Sequence, residues 1–170
     1  MKCMKPLALL NDLLKSNVLG KGRLLSLDVG DKYVGLAISD PHYKIASPLS
    51  VLVRSSSNIE LMAADFKVLV SKLSLVGFVV GYPFHRLKPS PDALQVKLLI
   101  DNLSQTGKLQ GVKYTYWNES FTSKIEETML KPLNLPQVQM KSIIDKFAAV
   151  AILQGYLDFM NKKLKLEPRD

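Results

Sequence analysis

The sequence predicts an α/β domain built on a mixed sheet. Strand-length apolar runs follow one another early in the chain, strand and helix patterns then alternate, and the chain closes on a long helical pattern. At 170 residues there is room for one ordinary domain, so the chain is read as a single unit over 1–170 with a short N-terminal helical segment within 1–22.

That first segment, "MKCMKPLALLNDLLKSN", carries Leu7, Leu10 and Leu14 at helical spacing, the pattern of an amphipathic helix packed on the domain. Its basic start also suits an organelle address, although Asn11 and Asp12 interrupt the apolar stretch that a secretory core requires. Arg23 to Val29 and Tyr33 to Ser39 are two apolar strands joined by "GDK". They form a hairpin in which Gly30 is expected to supply the positive φ of a tight turn.

Residues 49–53, "LSVLV", bounded by Pro48 and "RSSSN", make a third strand of an antiparallel meander. Asn58 is expected to cap a helix whose stripe runs through Met62, Ala63, Phe66, Leu69, Val70 and Leu73. "VGFVVGYP" is continuously apolar, as in a strand buried on both faces. A second helix starts at Ser90 as N-cap with Pro91 in its first turn and stops near Gly107.

"GVKYTYW" alternates and is the fifth strand. A helix from Lys124 to Lys131, ended by Pro132, and a last helix from Ser142 to about Lys163, with Ile144, Phe147, Ala148 and Ala151 on one face, complete the chain. The expected architecture is therefore a five-stranded mixed sheet flanked by helices.

Composition narrows the partners. Lys and Arg outnumber Asp and Glu 23 to 15, a formal charge of +8, which favours polyanions such as nucleic acid. No apolar run reaches the ~18–20 residues of a membrane span. The single cysteine, Cys3, forms no internal disulfide and fits a reducing intracellular compartment, the cytoplasm first and an organelle second. His42 and His85 lack zinc-ligand spacing, and no nucleophile motif of a serine or cysteine hydrolase is present.

Three acids stand out. Asp28 interrupts an apolar strand, where a carboxylate is disfavoured and needs a partner. It either accepts hydrogen bonds from the Gly30 turn or serves chemistry. Glu119 follows the fifth strand, and Ser123 with Glu126 already supplies a capping box for the next helix; a solvated loop acid is the plain alternative. Asp145 lies at the expected start of the last helix, where Ser142 and Asp145 also fit a capping box. Together, acids at a strand, a strand–helix loop and a helix start are how Mg²⁺ or Mn²⁺ sites for phosphodiester hydrolysis are assembled.

"LLSLDVGDKYVGLAISD", "FVVGYP", "WNESFTS" and "SIIDKFAAVAILQGYLD", in this order, resemble the YqgF family of ribonuclease H-like proteins from Arg23 to about Asp158. The resemblance implies a ribonuclease H-like fold and a divalent-metal nuclease, described in bacteria as a Holliday-junction resolvase or as a nuclease maturing the precursor of 16S ribosomal RNA. Carried over by motif, the acids are Asp28, Glu119 and Asp145, the same three. Where the family usually reads Asp-Glu-Arg, this chain has Asn118, Glu119 and Ser120, Tyr33 stands where a basic residue is common, and "FHRLKPSPD" replaces an Asn-rich loop.

These residues lead to one principal expectation and two alternatives. The first is a metal-dependent nuclease acting on RNA or branched DNA, with Lys32, His85, Arg86, Lys88, Lys124 and Lys141 holding the phosphate backbone. The second is a nucleic-acid-binding protein of the same fold without turnover, motivated by Asn118 and Ser120. The third takes "DVGDKYVG" as the phosphate-gripping hairpin of the actin and sugar-kinase ATPases, which enclose ATP between two such domains where this length supplies one. A two-fold dimer would suit a four-way junction, but no stretch predicts an interface, so monomer and homodimer both stand.

Overall fold

In the computed structural model, residues 1–16, 20–54, 57–84, 90–118 and 131–166 are described, with the backbone alone at 141, 142, 145, 146 and 166. The expected helix at 124–131 falls largely outside them, and Pro132 sits inside a 3₁₀ turn, Lys131–Leu133.

The elements in chain order are β1 (Lys2–Cys3), α1 (Pro6–Ser16), β2 (Arg23–Val29), β3 (Tyr33–Ser39), β4 (Ala46–Val53), α2 (Ile59–Leu73), β5 (Leu75–Tyr82), α3 (Pro91–Gln105), β6 (Lys113–Asn118) and α4 (Gln137–Leu166). The sheet has six strands in the order β1-β6-β5-β2-β3-β4. β1, β6, β5 and β2 run parallel, and the β2–β3–β4 meander is antiparallel. The sixth strand, absent from the sequence expectation, is β1. Two residues carry no alternation to read, and only pairing of Lys2 and Cys3 with Lys113 and Tyr114 makes them a strand.

Helices cover both faces, because the central strands are apolar on both sides. On one face Leu25, Leu27, Phe78 and Val80 pack with Met62, Phe66, Val96 and Ile100 of α2 and α3. On the other, Leu24, Ala37 and Val79 pack with Leu9, Leu10 and Leu13 of α1 and with Ala149, Ile152, Leu153 and Tyr156 of α4. Residues 6–16 are thus part of the core, fixed further by a Tyr156 hydroxyl that donates to the Pro6 carbonyl at 2.6 Å and by the Lys113–Asp12 ion pair.

Several local expectations are corrected. Gly30 is not left-handed: among the described residues the positive-φ glycines are Gly20, Gly107 and Gly111. Gly30 is small because a Cβ there would lie 3.1 Å from the Tyr33 carbonyl, to which its own N–H donates at 2.8 Å. β4 begins at Ala46 rather than residue 49 and runs through Pro48, which an edge strand tolerates. The Asn58 amide donates to the Val53 carbonyl at 3.5 Å rather than capping α2. Ser90 does cap α3, accepting from the Ala93 N–H at 3.1 Å.

The largest correction concerns α4. It starts at Gln137, five residues before Ser142, so Ser142 and Asp145 lie inside the helix and form no capping box. Its buried stripe runs through Ala149, Ile152, Leu153 and Tyr156, while Phe147, expected on the apolar face, is 43% exposed.

Candidate functional site

Asp28 is the next-to-last residue of β2, half-buried, and paired across the hairpin with Gly35. Side chains alternate along a strand. Leu25 and Leu27 enter the α2/α3 core, so Leu24, Ser26 and Asp28 belong to the α1/α4 face. Ser26 proves the assignment, because its Oγ donates to the Ala149 carbonyl of α4 at 2.6 Å.

The direction of α4 over the sheet follows from three further contacts. Asn161 donates to the Tyr43 carbonyl at 2.8 Å, and Gln154 accepts from Ala46 N–H at 2.8 Å while donating to the Lys44 carbonyl at 2.8 Å. These lie at the β3–β4 end of the meander, beside the start of β2, where the Leu24 N–H donates to Ser39 Oγ at 2.8 Å. The N-terminal half of α4 therefore runs toward the end of β2 that carries Asp28. Asp145 is one helical turn before Ala149, and Asp28 is two strand residues past Ser26. A helical turn rises ~5.4 Å and two strand residues ~6.6 Å, so the two backbone positions advance together from the Ser26–Ala149 bond.

Glycine lets α4 come close here. Val80 of β5 pairs with Leu27, and the next residue is Gly81. A Cβ on Gly81 would stand 2.5 Å from Ile152 Cδ1 and 3.3 Å from the Leu27 carbonyl.

The third acid, Glu119, lies outside the described residues, immediately after Asn118, the last residue of β6. β2, β5 and β6 are parallel, with Leu27 level with Val80 and Val80 level with Tyr116. Asp28 and Asn118 are thus both at the carboxyl ends of parallel strands that flank β5, the edge at which open α/β sheets form their sites.

Of the basic residues expected to hold phosphate, Lys32 is exposed at the tip of the β2–β3 hairpin, on that same edge. His85, Arg86, Lys88 and Lys124 lie outside the described residues, as does the side chain of Lys141. His42 is exposed, between Pro41 and Tyr43. Among the described residues no three His, Cys, Asp or Glu side chains form a metal cluster, a group that excludes Glu119 and the Asp145 side chain. No described helix is long and apolar enough to cross a membrane.

One residue at this edge was not legible beforehand. Arg54, just past β4, donates through Nη1 to the Gly30 carbonyl at 3.0 Å and through Nη2 to Gln95 Oε1 at 3.1 Å, while its backbone N–H donates to the Lys32 carbonyl at 2.7 Å. It ties the turn that follows Asp28 to α3. Its partners are 24 and 41 positions away, and no local spacing announces such a contact. Beside it a cavity of about 360 Å³ is lined by Asp31, Arg54, Ile59, Gln95, Leu98 and Asn102.

Known proteins resemble this chain in sequence and fold. Residues 22–159 match the family model described as RuvX, Holliday junction resolvase. A protein of Caldicellulosiruptor saccharolyticus named "Putative pre-16S rRNA nuclease" is 33% identical over 143 residues, 82% of this chain and 99% of its own. A relative of the same name in Caldicellulosiruptor bescii is 35% identical over 143 residues, 82% of this chain and 98% of its own. Among solved structures, the yeast mitochondrial Holliday junction resolvase Ydc2 superposes with a TM-score of 0.50 at 15% identity, covering 91% of this chain and 87% of that one, which supports the fold. The match over 22–159, together with relatives aligned over nearly their full length, shows that this chain belongs to the RuvX family.

Proposed function

We propose that the protein is a divalent-metal-dependent nuclease that hydrolyses phosphodiester bonds in structured nucleic acid, either precursor ribosomal RNA or a branched DNA junction. The observation that carries this reading is the Ser26–Ala149 bond, which aligns the α4 turn bearing Asp145 with the strand end bearing Asp28. The family and the names of its relatives favour the same chemistry.

The donor set suits a hard cation. Asp28, Glu119 and Asp145 are carboxylates from separate elements, which Mg²⁺ or Mn²⁺ prefers, and the described neighbourhood of Asp28 offers neither imidazole nor thiolate. When bound, such a cation supplies positive charge that favours hydroxide at neutral pH and offsets the charge of the departing oxygen. The chain's own task is to hold the carboxylates at fixed spacing on a buried strand and a packed helix. Lys32, His85, Arg86, Lys88, Lys124 and Lys141 would neutralise backbone phosphates, so binding should weaken steeply with salt. Water adds across one P–O bond, and the products are a phosphate monoester and a hydroxyl.

A second reading rests on Asn118, which ends β6 where the family pattern has an acid, and on Ser120, which stands in place of an arginine. It makes the protein a binder that turns over slowly or not at all, since a guanidinium beside the phosphate would otherwise add bidentate charge stabilisation. One experiment separates the two. Labelled precursor rRNA and a four-way DNA junction are incubated with Mg²⁺ and either the natural protein or Asp28→Asn. Products from the natural protein alone establish the nuclease. Equal products from both, or binding without products, leave the second reading.

A further inference from the structure

Beyond β5, Phe84 is 57% exposed, although a phenyl ring ordinarily finds cover in a domain of this size. It is not a loose side chain. Its ring packs edge-on against Tyr82, with centroids 4.8 Å apart at 66°. Tyr82 lies 5.1 Å from Tyr116, and Tyr116 lies 5.6 Å from Tyr114 at 88°. Four rings thus form a ladder from β6 across the end of β5, and Phe84 is its outermost rung.

Tyr82 and Tyr116 are anchored in the α2/α3 core, so the ladder gives Phe84 a firm backing. Lys97 of α3 places its Nζ 5.5 Å from the Tyr82 centroid and adds a cation beside the ladder. Val80 is level with Leu27, and Phe84 follows four residues later, so this rung stands past the strand edge at which Asp28 lies. Asp28 belongs to the α4 face and the ladder to the α3 face, with the edge between them.

An exposed aromatic ring backed by a second ring that carries a lysine ammonium, on a chain of net charge +8, is complementary to a nucleobase with its attached phosphate. Bases in a continuous duplex are already stacked on their neighbours and offer no free face. We infer that Phe84, backed by Tyr82, whose ring also carries the Lys97 ammonium, is a stacking platform for an unpaired base next to the cleavage position. The inference rests on the nucleic-acid reading above, and adds that the substrate must present an unstacked nucleotide there. Precursor RNA with a bulge or loop, or a junction at its branch point, meets this requirement, whereas uninterrupted duplex does not.

The test uses the chain over residues 1–170 in EDTA, so that no cleavage intervenes. The probes are two RNA duplexes of the same length, one fully paired and one with a single bulged 2-aminopurine, followed by anisotropy and by quenching of the 2-aminopurine. The natural protein should bind the bulged probe more tightly and quench it. Phe84→Ala and Phe84→Leu should each lose about tenfold on the bulged probe and little on the paired one, because stacking needs a π face and not only apolar volume. Phe84→Trp should restore both affinity and quenching. Circular dichroism confirms that each variant is folded.

Equal weakening on both probes, or full affinity in Phe84→Leu, overturns the platform while leaving the nuclease reading intact. Failure of the natural protein to bind either probe overturns the platform and the nucleic-acid reading together.

Discussion

The Ser26 hydroxyl donates to the Ala149 carbonyl at 2.6 Å across 123 positions of sequence, and this one bond joins the central strand to the long C-terminal helix beneath the candidate site. Both groups are buried. Replacing Ser26 by Ala removes the donor and should destabilise the fold by about 1–2 kcal/mol. If the bond also sets the separation of Asp28 and Asp145, Ser26→Ala should weaken Mn²⁺ binding, read by calorimetry, by more than its loss in urea stability accounts for. Unchanged Mn²⁺ affinity would make the bond purely structural.

Asp28→Asn separates a metal ligand from a turn former. Carboxylates held together repel without a cation, so the variant should be as stable as the natural protein, or more so, in EDTA. It should also lose most of the thermal stabilisation conferred by Mn²⁺ or Mg²⁺. A large loss of stability in EDTA together with an intact metal response would place Asp28 in the turn instead.

Arg54 should act at a distance from the reaction. Its guanidinium holds the Gly30 carbonyl and Gln95. Arg54→Ala is expected to cost about 1–2 kcal/mol and to lower kcat with little change in KM for the nucleic acid. Arg54→Lys keeps the charge but not the fork, and should recover only part of kcat. An equal rise in KM for every substrate would show instead that Arg54 binds phosphate.

Gly81 tests how closely α4 must approach. A Cβ there meets Ile152 Cδ1 at 2.5 Å, so Gly81→Ala should destabilise by about 1–3 kcal/mol. Ile152→Val removes that methyl group, and the double variant should be more stable than Gly81→Ala alone. Additive losses in urea melts would mean that the strain falls on the Leu27 carbonyl, 3.3 Å away.

Asp40 supplies a pH dependence. Partial burial alone would raise its pKa, but hydrogen bonds accepted from the backbone N–H groups of Ile45 and Lys44, with further help from His42, outweigh this and lower it below 3.8. The folded value is below the unfolded one, so the contribution is fully present above about pH 4 and fades as pH falls through the folded value. Asp40→Ala should be less stable than the natural protein at pH 6, and the difference should narrow steadily in acid below pH 4. A constant difference would mean that lost packing, not charge, explains the effect.

Much of this molecule is written locally. The hairpin of β2 and β3, the stripe of α2, the Ser90 cap and the anomalous Asp28 are all legible because each depends on residues within one or two turns of chain, where periodicity and capping act. Tertiary structure decided what depends on partners far away. Lys2 and Cys3 become a strand only beside β6, α4 reaches back to Gln137 where a capping pattern suggested Ser142, and Gly30 is small to admit the Tyr33 carbonyl rather than to turn left-handed. Arg54 and the aromatic ladder belong to the same group, since hydrogen bonds and ring contacts between remote segments leave no spacing to read. The sequence alone determined which acids to suspect, because a carboxylate in an apolar strand is costly wherever it folds; only the packing of α4 on the sheet decided that Asp28 and the Asp145 turn advance together from Ser26 and Ala149.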